Sequence, residues 1–297
     1  MQKRRDIGSR TSSSGSWNRL RPVTQDPLEE FGLPSKGDKR LLNHQNQERF
    51  YARIAERYMS FCTEAGDPSS LLAAFSSLAL TESKSTNNNP APSPSPTTRT
   101  NPNTLPLLLT ALRKLREGLV ASARHDSFAV QVYLFNIRLG ILASHPETYH
   151  PALLHLLRAI HPVHPLTVVE LSEAVSYLIL DAACRRGDLA AAYALRNKYR
   201  LKDAKVDTVL AALVHDDWVR FWRVKKEVDG HRAKLLELAE RDVRKRMLKA
   251  FGRAYLSVDR AFLERSAGMD WDVLKAGYGV GWEVDGERVV IRRVGGR

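Results

Sequence analysis

Cysteine is almost missing from this chain: Cys62 and Cys184 are the only two in 297 residues. Both are isolated, which excludes a disulfide framework and fits a reducing compartment. Long apolar runs are missing too. No stretch reaches the roughly 18 residues of a membrane span, and the N-terminus has no apolar core of a secretory signal. The expected location is therefore the cytoplasm, the nucleus or both, with no membrane contact. Acidic residues are the scarcer sign of charge, 33 Asp+Glu against 46 Lys+Arg, for a net charge of +13. Such a balance favours an acidic partner, nucleic acid or an acidic protein surface.

Catalytic patterns are missing as well. The chain has no Gly-x-Ser-x-Gly and no phosphate-loop signature. Five histidines fall between His145 and His164, yet His145 and His150 are five apart with Pro146 between, whereas a helical zinc site needs His at i and i+4 with Glu directly after the first. Gly277-Tyr278-Gly279-Val280-Gly281 follows a helical pattern and precedes a strand pattern, the reverse of a dinucleotide loop. His215-Asp216-Asp217 has the look of an acid/base group, but Asp217 is accounted for as a helix N-cap. No enzyme activity, cofactor, metal or small-molecule substrate is expected.

What is present is helical periodicity. Residues 1–42 are rich in Ser, Arg, Gly and Pro and read as a disordered basic tail. Lys3-Arg4-Arg5 within it has the form of a nuclear address, though clusters this short recur by chance. N-terminal helices are expected over 43–80, where Phe50, Ile54, Tyr58 and Phe61 recur at helical spacing. Residues 81–104 turn into Ser, Thr, Asn and Pro and read as a flexible linker. A helical body follows over 105–230. Leu105 to Leu119 marks one helix, Phe128 to Leu142 a second that is apolar nearly all round, and His150 to Ile160 a third. Thr167 with Glu170 forms a capping-box signature for the next.

That helix should stop at Gly187-Asp188, with Gly suited to a left-handed C′ position and Asp to the next N-cap. Twenty-nine residues later His215-Asp216-Asp217 repeats the arrangement: Ala183 matches Ala212, Asp188 matches Asp217, and Tyr193 matches Trp222. Two hairpins in register predict a short stack similar to tetratricopeptide repeats.

Residues 231–297 form the last section. A long amphipathic helix, His231 to Tyr255, places Leu236, Ala239, Val243, Met247, Ala250 and Phe251 on one stripe. Short helices are expected at Asp259–Glu264 and Asp270–Ala276. Asp285-Gly286 between alternating apolar runs then predicts a hairpin with a type I′ turn. Helices closed by a two-stranded wing describe a winged helix. The expected fold is thus all-α: a helical-repeat bundle followed by a C-terminal winged helix with a small β-hairpin.

This combination resembles the PCI family of scaffold subunits, and most nearly the compact domain shared by COP9 signalosome subunit 8, non-ATPase subunit 8 of the proteasome lid and subunit k of translation initiation factor 3. The resemblance covers about Thr167 to Arg293. It is carried by Cys184-Arg-Arg-Gly-Asp-Leu-Ala-Ala-Ala-Tyr193, by Val214-His-Asp-Asp-Trp-Val-Arg-Phe-Trp222, by the segment ending Ala250-Phe-Gly-Arg-Ala-Tyr-Leu-Ser-Val258, and by Gly281-Trp-Glu-Val-Asp-Gly-Glu-Arg-Val-Val-Ile291. It implies a non-catalytic subunit of a large assembly, partnered by other PCI-type subunits. A related outline, the mRNA-export scaffolds of the Sac3 and Thp3 kind, is similar and uses basic faces on nucleic acid.

Two sets of site residues follow. As a scaffold, the wing edge at Trp282, Val284, Val289 and Ile291 would join a partner by strand addition. As an RNA- or DNA-binding protein, Arg241, Arg244, Lys245, Lys249, Arg288, Arg292 and Arg293 would form one phosphate-contacting patch. A solvated helix face accounts for the same basic residues as readily.

Overall fold

The structure, a computed structural model, describes residues 27–66, 71, 75 and 103–292. The Lys3-Arg4-Arg5 cluster, nearly all of the expected linker and Arg293 lie outside the described residues. The fold is mostly helical with one small three-stranded antiparallel sheet.

Helix α1, His44–Ala65, begins where the Asn43 side chain accepts a hydrogen bond from the Gln45 N–H at 2.8 Å. It buries Phe50, Ile54 and Phe61 against α2, Thr104–Ala121, whose buried leucines are those of the sequence stripe. Helix α3, Ser127–Leu142, is buried nearly all round and sits in the middle of the bundle. The third helix of the body starts earlier than expected: α4 spans Pro146–His155, because Pro146 occupies the first turn, where its missing N–H costs nothing. It runs on through a π turn at Leu156–Ile160.

Helix α5, Val168–Leu180, opens on the capping box, with the Thr167 hydroxyl and Glu170 carboxylate each meeting the other's backbone N–H. It passes into a second π turn, Asp181–Arg185. Gly187 then takes φ +66 and the Asp188 carboxylate caps α6, Leu189–Tyr199. The second corner, between α7 (Ala204–Val214) and α8 (Trp218–Glu227), repeats this geometry: Asp216 takes φ +53 and Asp217 caps α8. The corners differ by the extra residue of the π turn, since the Asp188 N–H reaches back six residues to Ala182 while Asp217 reaches back five to Ala212.

Helix α9, Gly230–Ala254, is shared between two cores. Leu235, Leu236, Ala239 and Val243 close the large core of the helical body. Met247, Leu248 and Phe251 begin a smaller one completed by Val258, Leu263, Ala267, Trp271, Leu274 and Val289. Ala250, expected on the buried stripe, is only half-buried, and Leu248 takes its place.

After α9 the chain forms β1 (Ser257–Asp259), α10 (Arg260–Ala267), α11 (Trp271–Tyr278), β2 (Glu283–Asp285) and β3 (Arg288–Val290). The sheet order is β1-β3-β2, with Val258 opposite Val289 and Val289 opposite Val284. The C-terminal sheet therefore has three strands where the sequence predicted a two-stranded hairpin. The turn also differs. Asp285 pairs with Arg288, so Gly286 and Glu287 are the central residues, and only Gly286 has positive φ, at +60. That is the φ pattern of a type II′ turn, which needs Gly at its first central position, not of type I′.

Candidate interaction surfaces

The sheet decides which residues of the C-terminal hairpin meet solvent. Val289 lies on the central strand, between β1 and β2, and its side chain is fully buried in the small core with Met247, Phe251 and Leu263. It is core, and its expected place on an open edge is corrected by the third strand. Trp282 and Ile291 are half-buried, packed on the small core, and the Trp282 ring lies beside Gly252 of α9. Val284 alone of the four is an exposed apolar side chain, on the true edge strand β2. Hydrogen-bonded pairs alternate with non-bonded ones in an antiparallel ladder, and the pair flanking a two-residue turn is a bonded one. The backbone N–H and C=O of Val284 accordingly point to the open side.

The other edge strand, β1, stands in a more apolar setting. Tyr255, Leu256 and Phe262 are 45%, 52% and 43% exposed around it. Tyr255 and Phe262 flank the buried Phe251, whose centroid lies 5.3 Å from Tyr255 and 5.9 Å from Phe262. Three large apolar side chains next to one strand edge make a compact exposed patch of the kind that partners cover. The sequence reading missed it, because an apolar residue near a helix end looks the same whether it points inward or outward. Its one signal was Tyr255-Leu256 continuing the apolar run past the helix.

The basic residues divide. Arg241, Lys245, Lys249 and Arg253 recur every four residues along α9, all exposed, and form a ridge. Lys245 faces Asp242 at 3.6 Å. Arg292 joins the ridge at its C-terminal end, donating to the Arg253 carbonyl at 3.0 Å. Arg244 does not belong to it. It is buried, its Nε donates to the Ala267 carbonyl at 2.8 Å, and it pairs with Glu240 at 2.9 Å. A guanidinium so engaged is a structural joint, which removes Arg244 from any phosphate-contacting set. Arg288 lies away from the ridge, between Asp259 and Asp285 on the neighbouring strands.

Helix α11 exposes Asp272, Val273, Lys275 and Ala276. One acid and one base give this face no net charge for a phosphate backbone. Elsewhere the polar residues are committed to the fold. Asp181 is fully buried, accepting from Tyr149 at 2.7 Å and from Arg185 at 2.6 and 2.8 Å, with His150 at 3.1 Å. Burial pushes its carboxyl up, but the hydrogen bonds from Arg185 and Tyr149 outweigh this and hold it below the usual range. Beside it, burial and the Asp181 charge push the Cys184 thiol up to about 12, which keeps it protonated at neutral pH. The histidines are dispersed in their roles: His145 meets Thr148 at 2.8 Å, His155 stacks on Tyr133, and His161 accepts from the Leu166 N–H. No described group of three or more His, Cys, Asp or Glu side chains is placed to hold a metal ion, and no described helix is long and apolar enough to cross a membrane.

No family model matches this chain, and no curated protein matches it.

Proposed function

We propose that this protein is a non-catalytic scaffold subunit that docks other subunits of a multi-protein assembly through its C-terminal unit. The observation that carries this is the exposed Tyr255–Leu256–Phe262 patch beside the open edge of β1. An open edge supplies unpaired backbone groups, and adjoining apolar side chains supply desolvation energy, the two requirements of strand addition. The Val284 edge of β2 offers a second, smaller surface.

The order α9–β1–α10–α11–β2–β3, with β3 between β1 and β2, supports reading this unit as a winged helix. The matched corners at Gly187-Asp188 and Asp216-Asp217 support reading the body as a short helical-repeat stack. Together they favour a subunit of the PCI type, in an assembly such as the proteasome lid, the COP9 signalosome or translation initiation factor 3, working in the cytoplasm or nucleus.

A second reading, RNA or DNA binding, is favoured by the ridge Arg241–Lys245–Lys249–Arg253 with Arg292 at its end. Phosphate contacts weaken steeply with salt, whereas apolar docking does not. The deciding experiment is affinity purification from the native cell with and without nuclease, comparing the wild type with Tyr255→Ser/Leu256→Ser/Phe262→Ser. Scaffold subunits that survive nuclease and vanish in the triple variant support the first reading. Recovery of nuclease-sensitive ribonucleoproteins alone would replace it with the second.

A further inference from the structure

An open cleft of about 630 Å³ lies between the turns that precede α1, the C-terminal half of α2, and α3 and α4. Its walls are apolar, formed by Leu42, Val120, Tyr133 and Pro151. Arg116 of α2 lines it and is the unusual group. Its Nε is buried without a hydrogen-bond partner, and among the described residues its guanidinium makes no ion pair. Desolvation pushes its pKa down and outweighs the opposing charge of Glu117.

The nearby groups answer that charge only in part, through the field of Glu117. Glu117, the one carboxylate in the lining, accepts from the Ser35 hydroxyl at 3.0 Å and faces Arg113 at 3.6 Å. His155 stacks on the Tyr133 ring at 5.0 Å, and burial, with the charges of His125 and Arg116, pushes its pKa down, so it is neutral at pH 7. Lys39 stands exposed at the rim. A half-buried guanidinium whose Nε is shut off from water without a hydrogen bond is a cost to the fold that a bound anion would offset.

We propose that the cleft binds an amphipathic monocarboxylate of small-molecule size, its carboxylate on Arg116 and its apolar body against Leu42, Val120, Tyr133 and Pro151. The planar guanidinium fork matches a carboxylate in bidentate geometry. One half-buried cation matches one negative charge, where a phosphate monoester would call for a cluster. The volume falls within the ~300–1,000 Å³ of small-molecule sites. This site is independent of the scaffold surfaces on β1 and α9.

The test is calorimetric titration of the full chain with decanoate and with its neutral isostere decanamide. Saturable binding of decanoate, about tenfold or more tighter than decanamide, is expected from a charge-assisted contact. Arg116→Met should weaken decanoate by a similar factor while leaving the melting temperature unchanged or higher, because a half-buried charge with an unbonded Nε is removed. Val120→Glu, at a half-exposed position on the lip, should also weaken it by repulsion without touching the core. No saturable binding by the wild type, equal affinity for the two probes, or wild-type affinity in a folded Arg116→Met would overturn the proposal. If Arg116→Met fails to fold, unchanged decanoate affinity in Val120→Glu overturns it equally.

Discussion

The guanidinium of Arg244 on α9 lies 4.7 Å from the ring centroid of Trp222 on α8. From there it reaches the Ala267 carbonyl, while the Trp222 indole N–H donates to the Ser266 carbonyl at 2.9 Å. Two side chains thus cap the last carbonyls of α10 and fasten the C-terminal unit to the helical body. Lys225 adds an ion pair to Glu240, and Arg246 one to Asp216 at 3.1 Å.

Arg244→Ala is expected to cost about 2–3 kcal/mol, since it strands the Ala267 carbonyl and loses the contact with the Trp222 ring, while Glu240 keeps Lys225. Trp222→Phe keeps most of the ring and loses the indole hydrogen bond, at about 1–2 kcal/mol. Urea denaturation of both variants checks the order; equal stability of Arg244→Ala and wild type would show the joint to be incidental.

Tyr149→Phe removes one donor from a carboxylate with no exposure. Arg185 and His150 remain, so the expected loss is about 1–2 kcal/mol, well short of the cost of leaving the charge unpaired. A midpoint shift in denaturant, at unchanged m-value, is the readout.

Acid should weaken the fold in part through Asp229, the N-cap of α9. Burial pushes this carboxyl up, but the hydrogen bonds from His231 and the Arg232 N–H and the charge of Arg232 prevail and lower it to about 2. A folded pKa below the unfolded value of about 4 adds stability that is complete above that value and is lost as pH falls toward 2. Asp229→Asn retains a capping oxygen but cannot titrate. Its stability should fall less steeply between pH 4 and pH 2 than that of the wild type. Parallel curves would assign the acid sensitivity elsewhere.

The two valines of the β2–β3 hairpin should behave oppositely. Val289→Ala opens space in a closed core and is expected to cost about 2 kcal/mol. Val284→Ala, at a position 42% exposed on β2, should stay within about 0.5 kcal/mol and act, if anywhere, on partner binding. Thermal melts separate them directly.

Gly187 and Asp216 occupy equivalent places at the two corners, both at positive φ. Gly187→Ala forces a Cβ into that left-handed conformation and is expected to cost about 1–2 kcal/mol. No heavy atom lies within 4 Å of where that Cβ would stand, so the loss would be conformational strain and not a clash. A loss under about 0.3 kcal/mol in denaturation would remove that reading of the corner.

Local signals were legible in the chain itself. The leucine stripe of α2, the all-round apolar α3, the Thr167–Glu170 box and the caps at Asp188 and Asp217 depend on residues within a turn or two of each other, and short-range chemistry suffices for them. The Asp216 corner shows the limit even there, for Asp stands at positive φ where Gly stands at the first. Long-range pairing decided the rest. Ser257–Asp259 is too short to show strand alternation, and it becomes β1 only because β3 presents an unpaired side. That pairing puts Val289 on the central strand and leaves Tyr255, Leu256 and Phe262 around the new edge, while the β2–β3 register sets the turn at Gly286-Glu287. Arg244 and Lys245 are neighbours of like charge in the sequence, and only the docking of α10 against α9 makes one a buried joint and leaves the other on the ridge. Charge and periodicity belong to the chain alone, whereas exposure depends on what packs against each face.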